Sequence, residues 1–219
     1  MDLDLDKYKK AWGNQSEETD KVSKIDIYRM AHSKSSSIVK WIFIIGILEL
    51  IFWGSINLLF VGSSYNEIYD ELHLTALVKI SIYLHYFVII LFLVLFYKNY
   101  KSISISDSTK KLIRKILNTR KTVKYYVYFN LVYMVLANIV IMCFVFSDLD
   151  GLIEYYNNHG MVAADINKSQ LLVSLIITMI IVLSLMFLIL WLFYKIIYGR
   201  LLKKLNKNYK ELLKLEDLN

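Results

Sequence analysis

The sequence predicts an all-α polytopic membrane protein, a bundle of four transmembrane helices with helical extensions on its cytoplasmic side. Three observations lead there. Four apolar runs are each long enough to cross a bilayer core, which takes about 20 residues at 1.5 Å of rise per residue. The 219 residues are 57% hydrophobic and 15% aromatic, and the charges are gathered into blocks between the apolar runs. The chain also contains no proline, so nothing forces a kink and straight, uninterrupted helices are expected.

The expected organisation is an amphipathic N-terminal segment over 1–37, a transmembrane domain over 38–197 and a helical tail over 198–219. In the N-terminal segment, Leu3, Leu5, Tyr8, Ala11 and Trp12 share one side of a short helix that ends at Gly13. A second piece starts at Ser23, a candidate N-cap with Asp26 in the first turn, and feeds without a break into the first span. Its apolar side suits either the lipid surface or a cytoplasmic partner. The segment has no apolar core of the kind a cleavable signal needs, so the first span is expected to act as an uncleaved anchor.

The spans are expected at about 38–61, 77–97, 125–147 and 171–194. Between the first two, Ser64 followed by Glu67 is a capping-box pattern for one short helix. The 98–124 loop should hold a helix capped by Ser106 or Asp107. Its apolar stripe is Leu112, Ile113, Ile116 and Leu117, and Lys110, Lys111, Arg114 and Lys115 form its basic side. In the loop after the third span, Asp148, Asp150 and Gly151 echo a calcium loop, but the later ligand positions do not follow, so no metal is expected. The tail repeats Tyr198, Leu201, Leu205, Leu212 and Leu215 as a short seam suited to the basic loop helix or to a second copy, which makes a homo-oligomer an option.

Orientation follows from Lys and Arg. The N-terminal segment through Lys40 has eight, the 98–124 loop nine and the residues from 195 onward seven, whereas 62–76 has none and 148–170 one. The positive-inside rule therefore places both termini and the basic loop in the cytoplasm. The net charge of +7 belongs to these membrane flanks and to attraction for anionic lipid, which argues against nucleic acid as a partner. The single cysteine, Cys143, lies inside a span and excludes an intramolecular disulfide.

Taking the midpoint of each span places Glu49, His85, Asn138 and Ser184 at one depth, an expected intramembrane polar layer to which Asn57 and Asn130 are added from the same helices. On the first span Gly46, Glu49, Trp53 and Asn57 fall within about 80° of one another, a single inward stripe. A carboxylate at the centre of a span costs on the order of 3 kcal/mol, so Glu49 should face the bundle and bond to His85 or Asn138. Such a layer serves either as an interhelical clasp or as a site for a proton or ligand. There is no metalloprotease, thiol-redox, hydrolase or phosphate-loop motif in the chain, and no cofactor is expected.

The junction from Lys34 to Ile45, KSSSIVKWIFII, preceded by Trp12 and by Ile27-Tyr28-Arg29-Met30, resembles a family of uncharacterised four-span integral membrane proteins of Bacteroidota. The resemblance implies a bacterial inner membrane. Some members carry a carotene-cleaving monooxygenase name, but such oxygenases resemble histidine-rich iron enzymes, and this chain has one intramembrane histidine. Members similar to this chain are encoded near sigma factors, which implies a membrane-bound regulatory role.

Two functions follow as expectations. The first is a non-enzymatic regulatory or scaffolding protein that binds a cytoplasmic partner, such as a transcription regulator, through its basic and amphipathic helices. The alternative is a small-molecule or proton-coupled transporter that uses the polar layer, although its unbroken helices and lack of an internal repeat suit a static bundle better.

Overall fold

The computed structural model describes residues 24–59, 64–103, 107–160 and 167–217. The short helix expected over 3–12 and the Ser23 cap lie outside these residues, as does Ser106. Six α-helices make up the described chain: α1 Lys24–Leu59, α2 Ser64–Glu71, α3 Thr75–Ser102, α4 Thr109–Ser147, α5 Leu149–Asn158 and α6 Lys168–Asp217. Four of them, α1, α3, α4 and α6, are long and apolar enough to cross a membrane, and the chain is a multi-pass membrane protein.

These four run up, down, up and down. Going round the bundle, α1 packs on α3, α3 on α4, α4 on α6 and α6 back on α1, with a smaller contact between α1 and α4 across the middle. Successive crossings of one membrane impose this alternation, and the short connection from Ser102 to Thr109 keeps α3 and α4 adjacent and antiparallel. One end of the bundle gathers the Lys-rich and Arg-rich segments and is called here the basic end. The other holds α2 and α5, which contact each other and close a small core of Leu72, Leu74, Val145 and Leu152.

Helix length determines what lies beyond the membrane. The 50 residues of α6 reach about 75 Å, far more than the roughly 45 Å of a whole bilayer, so the helix must project. It does so at the basic end without a break: the separate tail expected from residue 198 is the continuation of the fourth span. The seam holds there, with Tyr198, Leu205, Leu212 and Leu215 buried and Leu201 half-buried. It packs within the same chain, against Ala31, Val39 and Ile42 of α1 and Leu112, Ile116 and Val123 of α4 in one continuous core. The helices thus leave the apolar zone as a packed stem.

Polar contacts tie the stem together. The Asn208 amide donates to Ser35 Oγ at 3.0 Å, joining α6 to α1, and both side chains are buried. Arg120 of α4 stacks over the Tyr209 ring, and Lys110 pairs with Glu216. The Tyr28 hydroxyl donates to the Asp107 carbonyl at 2.5 Å, and burial together with the Asp107 carboxylate holds its pKa above the ordinary phenol value.

Two local expectations are corrected. The cap of α4 is Ser108, whose hydroxyl accepts from the Lys111 N–H, not Ser106 or Asp107. Asp107 instead takes Lys115 at 2.5 Å, which draws that lysine inward while Lys110, Lys111 and Arg114 stay exposed. Leu117 turns outward at 40% exposure, and Thr119 takes its place on the buried side, because 3.6 residues per turn favours 112, 116, 119 and 123 as one stripe. At the other end Asp148 caps α5 by accepting from Gly151 N–H at 3.1 Å, so the acidic motif is a helix start. Among the described residues no three His, Cys, Asp or Glu side chains come together to hold a metal.

The apolar zone itself is thinly packed. Between Leu171 and Tyr194 no residue of α6 is buried, as expected of a helix whose surroundings are hydrocarbon. The stem supplies the cohesion. Leu212→Ala should therefore cost about 2 to 5 kcal/mol, read as a clear drop in melting temperature in detergent, whereas Leu185→Ala, on the exposed part of α6, should leave it within a degree or two. Equal effects of the two substitutions would contradict a packed stem.

Candidate functional site

Glu49 is a buried carboxylate of the apolar zone, 5% exposed. It sits on the stripe of α1 that carries Ile42 and Gly46 toward the bundle, all of them buried. Gly46 lets α3 approach closely, since a Cβ there would stand 2.7 Å from a Leu93 methyl. The expected partners were His85 or Asn138. The observed partners come from α6: the Tyr194 hydroxyl donates to Glu49 Oε1 at 2.5 Å and the Tyr198 hydroxyl to Oε2 at 3.1 Å. Tyr194 and Tyr198 are one helical turn apart and so present their hydroxyls to the two oxygens of one carboxylate. Tyr126 of α4 completes the group, with its ring centroid 6.2 Å from Tyr194 and 5.7 Å from Tyr198. Its own hydroxyl is buried without a hydrogen bond of regular geometry.

This arrangement corrects the depth of Glu49. Its partner Tyr194 and the neighbouring Tyr126 lie at the basic-end limits of the fourth and third apolar runs, not at their midpoints. Further down, Ser35 of α1 meets Asn208 of α6 in the same register, and Ile38 lines a groove with Lys204 and Lys207. The first turns of the α1 apolar run therefore serve the stem, and its midpoint is no guide to the centre of the bilayer. The glutamate stands where the apolar zone gives way to the stem.

The remaining residues of the expected layer do not gather at one depth. His85 Nε2 meets Asn130 Oδ1 at 3.0 Å, joining α3 to α4. Asn130 also donates to the Tyr126 carbonyl of its own helix at 2.8 Å, and the His85 ring stacks on Tyr133 with centroids 4.2 Å apart and planes within 6°. Tyr133 in turn donates to the Ser81 carbonyl at 2.6 Å. Asn57 donates to the Tyr86 hydroxyl at 2.7 Å on an exposed part of the α1–α3 contact. Asn138 turns back to its own helix, bonding the Met134 carbonyl at 2.7 Å, and is exposed, as is Ser184. His85, Asn130, Tyr133 and Ser81 thus form a polar line along α3 and α4 that begins beside Tyr126, apart from Asn57, Asn138 and Ser184.

Sequence reading missed the tyrosines because Tyr194 ends the fourth apolar run, a position that reads as an interfacial anchor, while Tyr198 reads as the first residue of the tail seam. Their signal was spacing: two phenols one turn apart can serve a single carboxylate. Chemically the group is a clasp between α1 and α6 in which two donors satisfy one acidic side chain away from water, the condition for burying it at tolerable cost.

Deleting the carboxylate would orphan both phenols. Glu49→Ala should cost about 1 to 3 kcal/mol, the penalty of leaving buried hydroxyls unmet. In the background of Tyr194→Phe and Tyr198→Phe the same substitution should cost clearly less. Strictly additive losses in this thermal-melt cycle would show that the clasp carries no coupling.

A family model described as Domain of unknown function (DUF8845) matches residues 25–217. No curated protein and no solved structure matches the chain.

Proposed function

We propose, for a chain that belongs to the DUF8845 family, that it is a non-enzymatic scaffold or regulator of a bacterial inner membrane. In this reading the basic end faces the cytoplasm and docks a cytoplasmic protein, such as a transcription regulator. The distribution of Lys and Arg supports that orientation.

The observation that carries the reading is the groove between α1 and α6 in the stem. It has a volume of about 490 Å³, and its walls bring Lys34, Lys204 and Lys207 together with Ser33, Ser37, Asn208 and Glu211. Three ammonium groups against one carboxylate favour an acidic partner surface, and the packed helices beneath present them on a rigid wall. Rigid helices that extend a membrane anchor into a basic grooved stem suit holding a partner at the membrane.

The buried Glu49, with the His85–Asn130 pair beyond Tyr126, favours a second reading, proton-coupled transport. It is separable by experiment. Proton flux into liposomes that is lost in Glu49→Gln would support that reading, and flux indifferent to the substitution would reject it.

The docking reading predicts that Lys34→Glu, Lys204→Glu and Lys207→Glu together deplete an acidic protein from the full chain's co-purified partners by at least about tenfold, since like charges placed across an interface repel. The same three positions changed in a protein that still melts like the wild type, with unchanged partners, would contradict the groove as the docking surface.

A further inference from the structure

A second cleft lies on the opposite side of α6, where α6 meets α4. Its volume is about 210 Å³ and its lining is mostly apolar, with Lys124 and Tyr128 on the α4 wall and Trp191, Lys195 and Gly199 on the α6 wall. Its floor is the back of Tyr194 and Tyr198, the phenols that hold Glu49. The cleft therefore sits at the depth where the apolar zone gives way to the stem, the level of lipid headgroups.

The charges at this level have no counter-ion among the described residues. Lys124 and Lys195 are exposed and neither forms an ion pair among the described residues. The one carboxylate behind the floor is taken up by two tyrosines. The Lys195 ammonium lies 4.3 Å from the Trp191 ring, one turn toward the apolar zone, so it is held beside the cleft instead of reaching into bulk water. Above it, Leu131 and the exposed apolar face of α6 lead from the cleft into the membrane. Gly199 keeps the lower part open: a Cβ there would meet nothing closer than the Tyr194 carbonyl at 4.0 Å.

Two ammonium groups, an interfacial Trp and Tyr and an apolar exit are the recognition chemistry of a phospholipid with a net negative headgroup. We propose that this cleft binds one anionic phospholipid from the leaflet at the basic end, with its phosphate between Lys124 and Lys195 and an acyl chain lying past Trp191 and Leu131. The lipid supplies the charge that the protein lacks and seals α4 against α6 over the tyrosine floor.

The test is a native mass spectrometry titration of the full chain in detergent with phosphatidylglycerol or phosphatidylcholine. The wild type should retain one phosphatidylglycerol in preference to phosphatidylcholine. Lys124→Gln with Lys195→Gln should weaken that binding on the order of tenfold or more, as expected for the loss of two charges near an anionic headgroup. Lys203→Gln with Lys210→Gln, which removes the same charge outside the cleft, should leave it unchanged. Gly199→Leu, which fills the cleft and alters no charge, should weaken it too. Millimolar inorganic phosphate should not displace the lipid, and displacement would make the site one for free phosphate. Equal retention of the two lipids by the wild type, or undiminished phosphatidylglycerol binding in the Lys124/Lys195 double variant, would overturn the proposal.

Discussion

Two phenols donating to one carboxylate fix how α1 stands against α6, and much of the molecule follows from that register. Glu49 cannot be left bare among apolar side chains, so α1 must bring it to donors, and Tyr194 and Tyr198 are placed one turn apart to meet both oxygens. Once those bonds are made, Ser35 falls opposite Asn208 some twenty ångströms further along the helices. The stem core of Val39, Ile42, Leu205 and Leu212 then closes between them. A slip of one turn would break the clasp and unpair the buried Asn208 together. This is a way for polar groups in an apolar setting to choose one alignment among several that apolar packing alone would allow.

The consequence is a division of labour along the helices. The apolar zone makes few close contacts, and between Leu171 and Tyr194 α6 is at most half-buried. The stem, by contrast, buries side chains from α1, α4 and α6 in one continuous core. In a bilayer this is economical: hydrocarbon gives no drive to bury Leu against Leu, whereas water around the stem does. The two surfaces proposed to bind follow the same division, with the basic groove between α1 and α6 in the stem and the cleft between α4 and α6 at the boundary.

Much of the fold was legible because its determinants are local. Length and hydropathy identify four crossings, and the absence of proline explains why α1 and α4 run from polar segments into apolar ones without a break. The buried seam of the tail was readable from its spacing. The candidate site was less so, because it depends on register between helices, which no single segment contains. Glu49 is recognisable as a buried carboxylate, but its neighbours lie 145 and 149 positions away. Midpoint counting set Glu49, His85, Asn138 and Ser184 level. That fails because the first apolar run is shared between membrane and stem, which shifts α1 against the others. Asn138 could satisfy itself on the Met134 carbonyl of its own helix, so a polar residue in a span need not face a partner.

The continuous register from membrane to stem can be read directly by cross-linking. With Cys143→Ser to remove the free thiol, Ser35→Cys and Asn208→Cys place two thiols on the facing sides of α1 and α6, where Asn208 Nδ2 now meets Ser35 Oγ at 3.0 Å, close enough for a short bifunctional thiol reagent to bridge. In native membranes a short bifunctional thiol reagent should join the pair readily within one chain, seen as a faster-migrating monomer that is missing from either single-cysteine variant. A variant that elutes like the wild type yet forms no such link would contradict the packed stem and the register set by Glu49.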